Sequence, residues 1–250
     1  MSELRSFYYP HPVHPGELIS LEGSDLHHLR DVLRLGNDEN VDIITYSGRY
    51  LAKIIQLKKN GSKLLIQSEI SKKESKYRFI LWQSMIKSSK MDEVMDKATE
   101  VGVSEIVPLI TERSAPLLQP RAESENRLQR WQRIIITAAK QARRDFVPSV
   151  SPPVPLVSLL QSLADTDELR IFFWECADQR DLSEYLRSKP QSHNITLLIG
   201  PEGGFSQEEA SALLQNGFMP ASLGPTILRA ENAGFFALGL VQYLVSQFNP

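Results

Sequence analysis

"LLIGPEGGFSQEE", Leu197 to Glu209, sets an apolar run, a loop of three glycines, a proline and a glutamate, and a helix-start signal in direct succession. Ser206 followed by Glu209 fits the S-x-x-E capping box, in which hydroxyl and carboxylate each take the other residue's backbone N–H, so a helix is expected from Gln207. A buried strand that turns through glycine into a helix N-terminus is a unit of an α/β sheet, and such sheets bind ligands just beyond the carboxyl ends of their strands. The stretch predicts a fold class and a binding loop together.

The chain on either side repeats the unit. Strand-like runs lie at "FILWQSM", "EIVPLIT", "LRIFFWE", "NITLLIG" and "PASLG", alternating with helical stretches at residues 91–102, 124–145, 181–188, 206–217 and 231–248. Alternation of this kind predicts a mostly parallel sheet covered by helices. The proline-rich "VPSVSPPVP" reads as a loop. Before residue 71 the pattern differs: "ELISLEG", "VDIITYSGRYLAKIIQL" and "SKLLIQSEI" read as strands with turns at Ser47-Gly48 and Asn60-Gly61, the second a hairpin signal because both of its positions favour positive φ. One short helix is expected in "SDLHHLRDVLRLGN", capped by Ser24 or Asp25, with Leu26, Leu29 and Leu33 on one face and Gly36 ending it. The polar "SKKESKYR", residues 71–78, divides the two patterns, so the expected domains are 1–72, a small barrel or sheet, and 73–250, the α/β domain.

Composition narrows the function. A net charge of −2 does not announce a nucleic-acid-binding protein, but charge is uneven: residues 76–150 hold 13 basic and 9 acidic side chains, residues 151–250 hold 5 and 11. On the helix around Trp131, the residues Leu128, Trp131, Ile135, Ala138 and Ala142 form an apolar stripe, with Arg130, Arg133, Lys140 and Arg144 opposite within roughly 80°. That face is either simply solvated or a phosphate-contacting surface with Arg113, Arg121 and Arg143 beside it. Without a signal-peptide core or a membrane-length apolar run, the expectation is a soluble, cytoplasmic protein. The single cysteine, Cys176, reads as a buried bystander in "FFWEC", and His11 and His14 lack a third ligand, so no metal is expected. His27 and His28 are adjacent, and either can stack on a base or face the core.

The glycine loop matches neither common phosphate signature. A dinucleotide fingerprint needs G-x-G-x-x-G, whereas the glycines stand at 200, 203 and 204; a P-loop needs G-K-[ST], whereas Phe205 follows Gly204. Glu202 would also repel a phosphate. It suits ribose hydroxyls, an amine or a nearby cation, while the glycines let the backbone approach a base edge, so a nucleoside bearing a positive centre fits. The same residues also suit a tight turn in which Glu202 bonds its own backbone. "SLGPTILRAENAG", residues 222–234, adds a second strand end and Leu-Gly turn, with Arg229 and Glu231 just before an almost wholly apolar helix. Two such loops at neighbouring strand ends can share one pocket.

The paired loops "LLIGPEGGFSQEE" and "LGPTILRAENA" resemble those of the 16S ribosomal RNA (uracil-N3) methyltransferases, the RsmE family of the SPOUT class. "KMDEVMDKATEVGVSEIVPLITERS" and "AAKQARRDFVP" resemble that family's middle motifs, and "HHLRDVLRLGNDENVDI" its N-terminal one. The resemblance implies a PUA-like RNA-binding β-barrel ahead of a SPOUT-type α/β domain whose chain end threads a trefoil knot. It implies S-adenosylmethionine as cofactor, 16S ribosomal RNA of the small ribosomal subunit as partner, and a homodimer with no membrane or metal. Its cofactor residues would be Ile199, Gly200, Pro201, Glu202, Gly203, Leu223, Gly224 and Leu228. Arg229 would stabilise a developing uracilate, with Glu231 orienting Arg229 or relaying a proton. RNA would meet Arg5, Arg30 and Arg34 in the first domain and Arg113 and Arg144 in the second. The family commonly reads L-G-x-R-I-L-R-T-E-T-A, so Thr226, Ala230 and Asn232 depart from it. The alternatives are another RNA base or a ribose 2′-oxygen as target, or a non-catalytic RNA-binding relative.

Overall fold

The computed structural model describes residues 5–70, 77–114, 121–163, 167–175, 182–188 and 192–247, the side chains of 121–123 excepted. Cys176, the Arg121 side chain and the expected boundary at 72/73 lie outside the described residues. The chain forms two compact units, Met1–Glu74 with Ile136–Val147, and Ser75–Ile135 with Pro148–Pro250.

In the first unit β1 (Ser6–Tyr8), β2 (Leu18–Ile19), β3 (Asn40–Ile44), β4 (Arg49–Lys58) and β5 (Gly61–Glu69) make a sheet in the order β1-β3-β4-β5-β2. It is antiparallel apart from β1, which runs parallel to β3. Inward residues alternate along β4 and β5, as a sheet with one covered face requires: Tyr50, Ala52 and Ile54 meet Leu64 and Ile66 in a core with Phe7, Leu29, Val41 and Ile43. The second hairpin forms as expected, but its turn is Lys59-Asn60. Gly61 pairs with Lys58 inside the ladder, and neither Asn60 nor Gly61 has positive φ. The expected helix is also re-cut. α1 (Gly23–His27) starts with Glu22, not Ser24 or Asp25, at its N-cap, and continues as a wider π turn over His28–Val32. The left-handed residue that ends it is Arg34, at φ 54°, two positions before Gly36.

The second unit contains a sheet whose strands all run parallel. In chain order it comprises β6 (Arg78–Ser84), α2 (Ser88–Val101), β7 (Glu105–Ile110), α3 (Arg121–Gln141, of which residues to Ile135 belong to this unit), β8 (Ser149–Val150), β9 (Val154–Pro155) and α4 (Leu156–Gln161). Then follow β10 (Leu169–Phe173), α5 (Leu182–Ser188), β11 (Asn194–Ile199), α6 (Gln207–Gln215), β12 (Met219–Ala221) and α7 (Ala230–Ser246). The strand order is β12-β10-β11-β6-β7-β8, with β9 also on β7. The proline-rich stretch read as a loop thus supplies two short strands at the sheet's edge, where proline is tolerated because no N–H is needed outward. β6 and β11, buried on both faces, explain the continuous apolar runs.

α7 packs on α2, β6 and β11. Its close approach rests on Gly234, where a Cβ would stand 3.0 Å from Gln83 Oε1 and 3.4 Å from Leu81 Cδ2. α3 ends at Gln141, and Arg143, at φ 53°, turns the chain away. Arg144 therefore does not continue the exposed basic face expected for it, and Ala142 is exposed instead of extending the Trp131 stripe.

Candidate cofactor and substrate site

The carboxyl ends of β10, β11 and β12 open on a cavity of about 860 Å³ in the second unit. β11 ends at Ile199, and Gly200 to Phe205 turns the chain into α6. The capping box is formed in full: Ser206 Oγ accepts from Glu209 N at 3.3 Å, and the Glu209 carboxylate accepts from Ser206 N at 3.0 Å. Gly204, at φ 68°, donates its N–H to Pro201 O at 3.0 Å, a left-handed position that glycine adopts without Cβ strain. Phe205 is buried edge-on to Phe172, 5.9 Å between ring centroids, and anchors the loop in the core. Gly200 lies under that ring, where a Cβ would sit 3.1 Å from Phe205 Cε2.

The second loop follows β12. Gly224, at φ 116°, donates its N–H to Ser222 Oγ at 3.2 Å. Ile199, Gly200, Pro201 and Glu202 from the first loop and Leu223, Gly224 and Leu228 from the second line the same cavity, joined by Arg229 and Glu231. Gly203 does not line it: it lies against the Arg113 stem, with a Cβ position 3.3 Å from Arg113 Cβ.

One charge pairing differs from expectation. Glu231, 6 % exposed in the first turn of α7, faces Lys90 Nζ at 3.5 Å, and among the described residues no ion pair joins it to Arg229, the exposed N-cap of the same helix. Burial makes a carboxylate costly unless a cation compensates it, and Lys90 is that cation. Lys90 also holds Glu93 Oε1 at 2.7 Å. That hydrogen bond, reinforced by the charges of Glu93 and Glu231 against partial burial, raises its pKa above the ordinary lysine value.

Sequence reasoning missed Lys87 and Lys90, where β6 gives way to α2, and Phe173, Trp174 and Glu175 at the end of β10. The available signal was positional: each stretch follows a strand's carboxyl end, as the glycine loops do.

The expected RNA contacts separate. Arg5 and Arg34 are exposed. Arg30 is half-buried and held by Asp31, its Nη2 2.5 Å from Oδ2, and by the Lys59 carbonyl; Asp31 is pulled down to about 2, first by that arginine's hydrogen bond. Arg113 donates to the carbonyls of Gly203 at 2.9 Å and Phe205 at 3.4 Å. Arg144 is corrected: it is 4 % exposed, with its guanidinium 5.2 Å from the Phe146 ring centroid, and a side chain so buried cannot meet a phosphate. Among the described residues no cluster of metal-binding side chains occurs and no helix is long and apolar enough to cross a membrane.

The residues fit an adenosyl sulfonium ligand. The cavity combines backbone-lined loops, an apolar wall of Phe173, Ile199 and Leu223, and carboxylates at Glu175 and Glu202 suited to hydroxyls and positive charge.

Comparison with known proteins agrees in extent. Residues 73–242 match the family model described as an RNA methyltransferase domain, and residues 21–67 match the RNA methyltransferase PUA domain. The ribosomal RNA small subunit methyltransferase E of Synechocystis sp. is 31% identical over 227 residues, covering 91% of this chain and 73% of the relative. A putative methyltransferase from Legionella pneumophila, solved in complex with the bound cofactor S-adenosylmethionine, superposes with a TM-score of 0.81 at 31% identity over 96% of this chain and 98% of its own. The ribosomal RNA small subunit methyltransferase E of Neisseria gonorrhoeae, bound to S-adenosyl methionine, gives a TM-score of 0.83 at 28% identity, covering 97% and 98%.

Proposed function

The chain belongs to the RNA methyltransferase domain family, and from that premise we propose that it moves the methyl group of S-adenosylmethionine to N3 of a uridine in 16S ribosomal RNA of the small ribosomal subunit, acting in the cytoplasm as a homodimer. The observation that carries this reading is the convergence of two glycine loops, Lys90, Arg229 and Glu231 on one cavity at the strand ends. The bound cofactor of the two similar structures supports it.

S-adenosylmethionine, when bound, supplies an electrophilic methyl group on a sulfonium. Ile199, Gly200, Pro201, Glu202, Leu223, Gly224 and Leu228 hold it, largely through backbone groups and apolar contact, with Gly203 shaping the loop from outside. Methyl transfer by direct displacement needs its reactants in line and close, so the main work of these residues is orientation. The neutral imide nitrogen of uracil is a poor nucleophile, and its N3 proton passes to solvent water before or during attack, as the sulfonium carbon–sulfur bond breaks and leaves a neutral thioether. Arg229 provides a positive charge beside a uracil carbonyl oxygen as negative charge develops there. Glu231 acts through Lys90: the pair sets the charge of the cavity wall.

Two further features support the implied architecture. β11 lies between β10 and β6, both laid down before it, which suits a chain end threaded as a trefoil knot. Phe236 (45 % exposed), Leu240 and Tyr243 (63 % exposed) follow one another at helical spacing on α7 and form an apolar face for a second copy.

Calorimetric titration with S-adenosylmethionine, followed by incubation with 16S ribosomal RNA and nucleoside analysis, tests the reading. Saturable binding, weakened in Glu202→Ala, with 3-methyluridine as product is expected. A methyl group on another base or on ribose would overturn the target, and no binding by the wild type would overturn the cofactor.

A further inference from the structure

We propose that Arg113 is a positioning residue for the cofactor loop and not a contact for RNA; this rests on the reading that Gly200–Phe205 holds S-adenosylmethionine. Arg113 stands three residues beyond the end of β7, where its charge would ordinarily be assigned to a phosphate-binding surface. Its Nη1 instead donates to the carbonyls of Gly203 and Phe205, at 2.9 and 3.4 Å. A hydrogen bond from an ionised donor is stronger than one between neutral groups, and here one guanidinium holds two carbonyls two residues apart. The aliphatic stem completes the contact. A Cβ at Gly203 would meet Arg113 Cβ at 3.3 Å and Cδ at 3.4 Å, so this position admits glycine because the arginine covers it.

The preceding residue fastens the other end of the loop. Glu112 N donates to Glu209 Oε1 at 2.8 Å, while Oε2 of the same carboxylate accepts from Ser206 N at 3.0 Å. Glu209 thus serves the capping box and ties the loop to the segment after β7. With Phe205 buried on the inner side and Arg113 outside, the loop is held on both faces. Pro201 and Glu202, which face the cavity, are presented by a backbone ordered before any ligand arrives, and such pre-organisation lowers the cost of binding.

The test titrates wild type, Arg113→Ala and Arg113→Lys with S-adenosylmethionine and S-adenosylhomocysteine, and measures 16S ribosomal RNA affinity against salt concentration. Arg113 is exposed, so both variants should fold. Arg113→Ala is expected to raise Kd for both nucleosides about tenfold, and Arg113→Lys, which keeps one charged donor, to stay within about threefold of wild type. In turnover assays KM for S-adenosylmethionine should rise with kcat nearly unchanged at saturation, and the salt slope of RNA binding should not move. Unchanged cofactor affinity in Arg113→Ala, or a salt slope reduced by about one, would overturn the assignment and return Arg113 to the RNA surface. Failure of the wild type to bind either nucleoside would overturn the cofactor reading itself, and this inference with it.

Discussion

Lys90 and Glu231 meet at 3.5 Å on the wall of the cavity, one from the start of α2 and the other from the first turn of α7, 141 positions apart in the chain. The pairing leaves Lys90 shared between Glu231 and Glu93, with its pKa raised, chiefly by the Glu93 hydrogen bond. Because the folded value lies above the unfolded one, stabilisation from this group is complete below the unfolded value and is lost as pH rises through the folded value. In Glu93→Gln the Lys90 titration, followed by side-chain NMR, should shift downward. An unmoved midpoint would show that Glu93 does not hold the ammonium in solution.

On the role proposed for Arg229, beside the developing uracilate, Arg229→Ala should lower kcat by about 10²-fold or more while KM for S-adenosylmethionine changes little. Turnover within about threefold of wild type would remove Arg229 from the chemistry.

The arginines of the first unit should separate by exposure. Arg5→Ala and Arg34→Ala should each reduce the salt slope of RNA binding by about one. Arg144→Ala should leave the slope unchanged and lower thermal stability, since its buried guanidinium packs over Phe146. A slope change in Arg144→Ala alone would reverse this division.

Phe236→Asp and Tyr243→Asp place charge on the apolar face of α7 and, on the proposed homodimer, should shift the protein from dimer to monomer in sedimentation. A wild type that sediments as a monomer at all accessible concentrations would refute the dimer.

Ser206→Ala removes the acceptor for Glu209 N and should cost about 1 kcal/mol in denaturant unfolding, the usual value of a helix N-cap. A loss below about 0.3 kcal/mol would mean that the carboxylate half of the box is sufficient alone.

Local signals in the sequence determined much of this protein. The α6 start at Gln207 was legible because a capping box is a contact between residues three apart, and the parallel sheet because strands buried on both faces must be apolar throughout. The first glycine loop is legible because strand, glycine and capping box are contiguous, and the second because a Leu-Gly turn follows a strand end directly. The resemblance to a methyltransferase family added the identity of the ligand, which no spacing of residues specifies. The tertiary structure decided what depends on distant partners. It gave Glu231 to Lys90 and Arg113 to the glycine loop, placed Trp174 and Glu175 at the cavity, and buried Arg144 by ending α3 at Gln141. A side chain's charge is written in the sequence; which opposite charge or carbonyl satisfies it is fixed only when packing brings residues far apart in the chain within a few ångströms and removes the water that would otherwise serve.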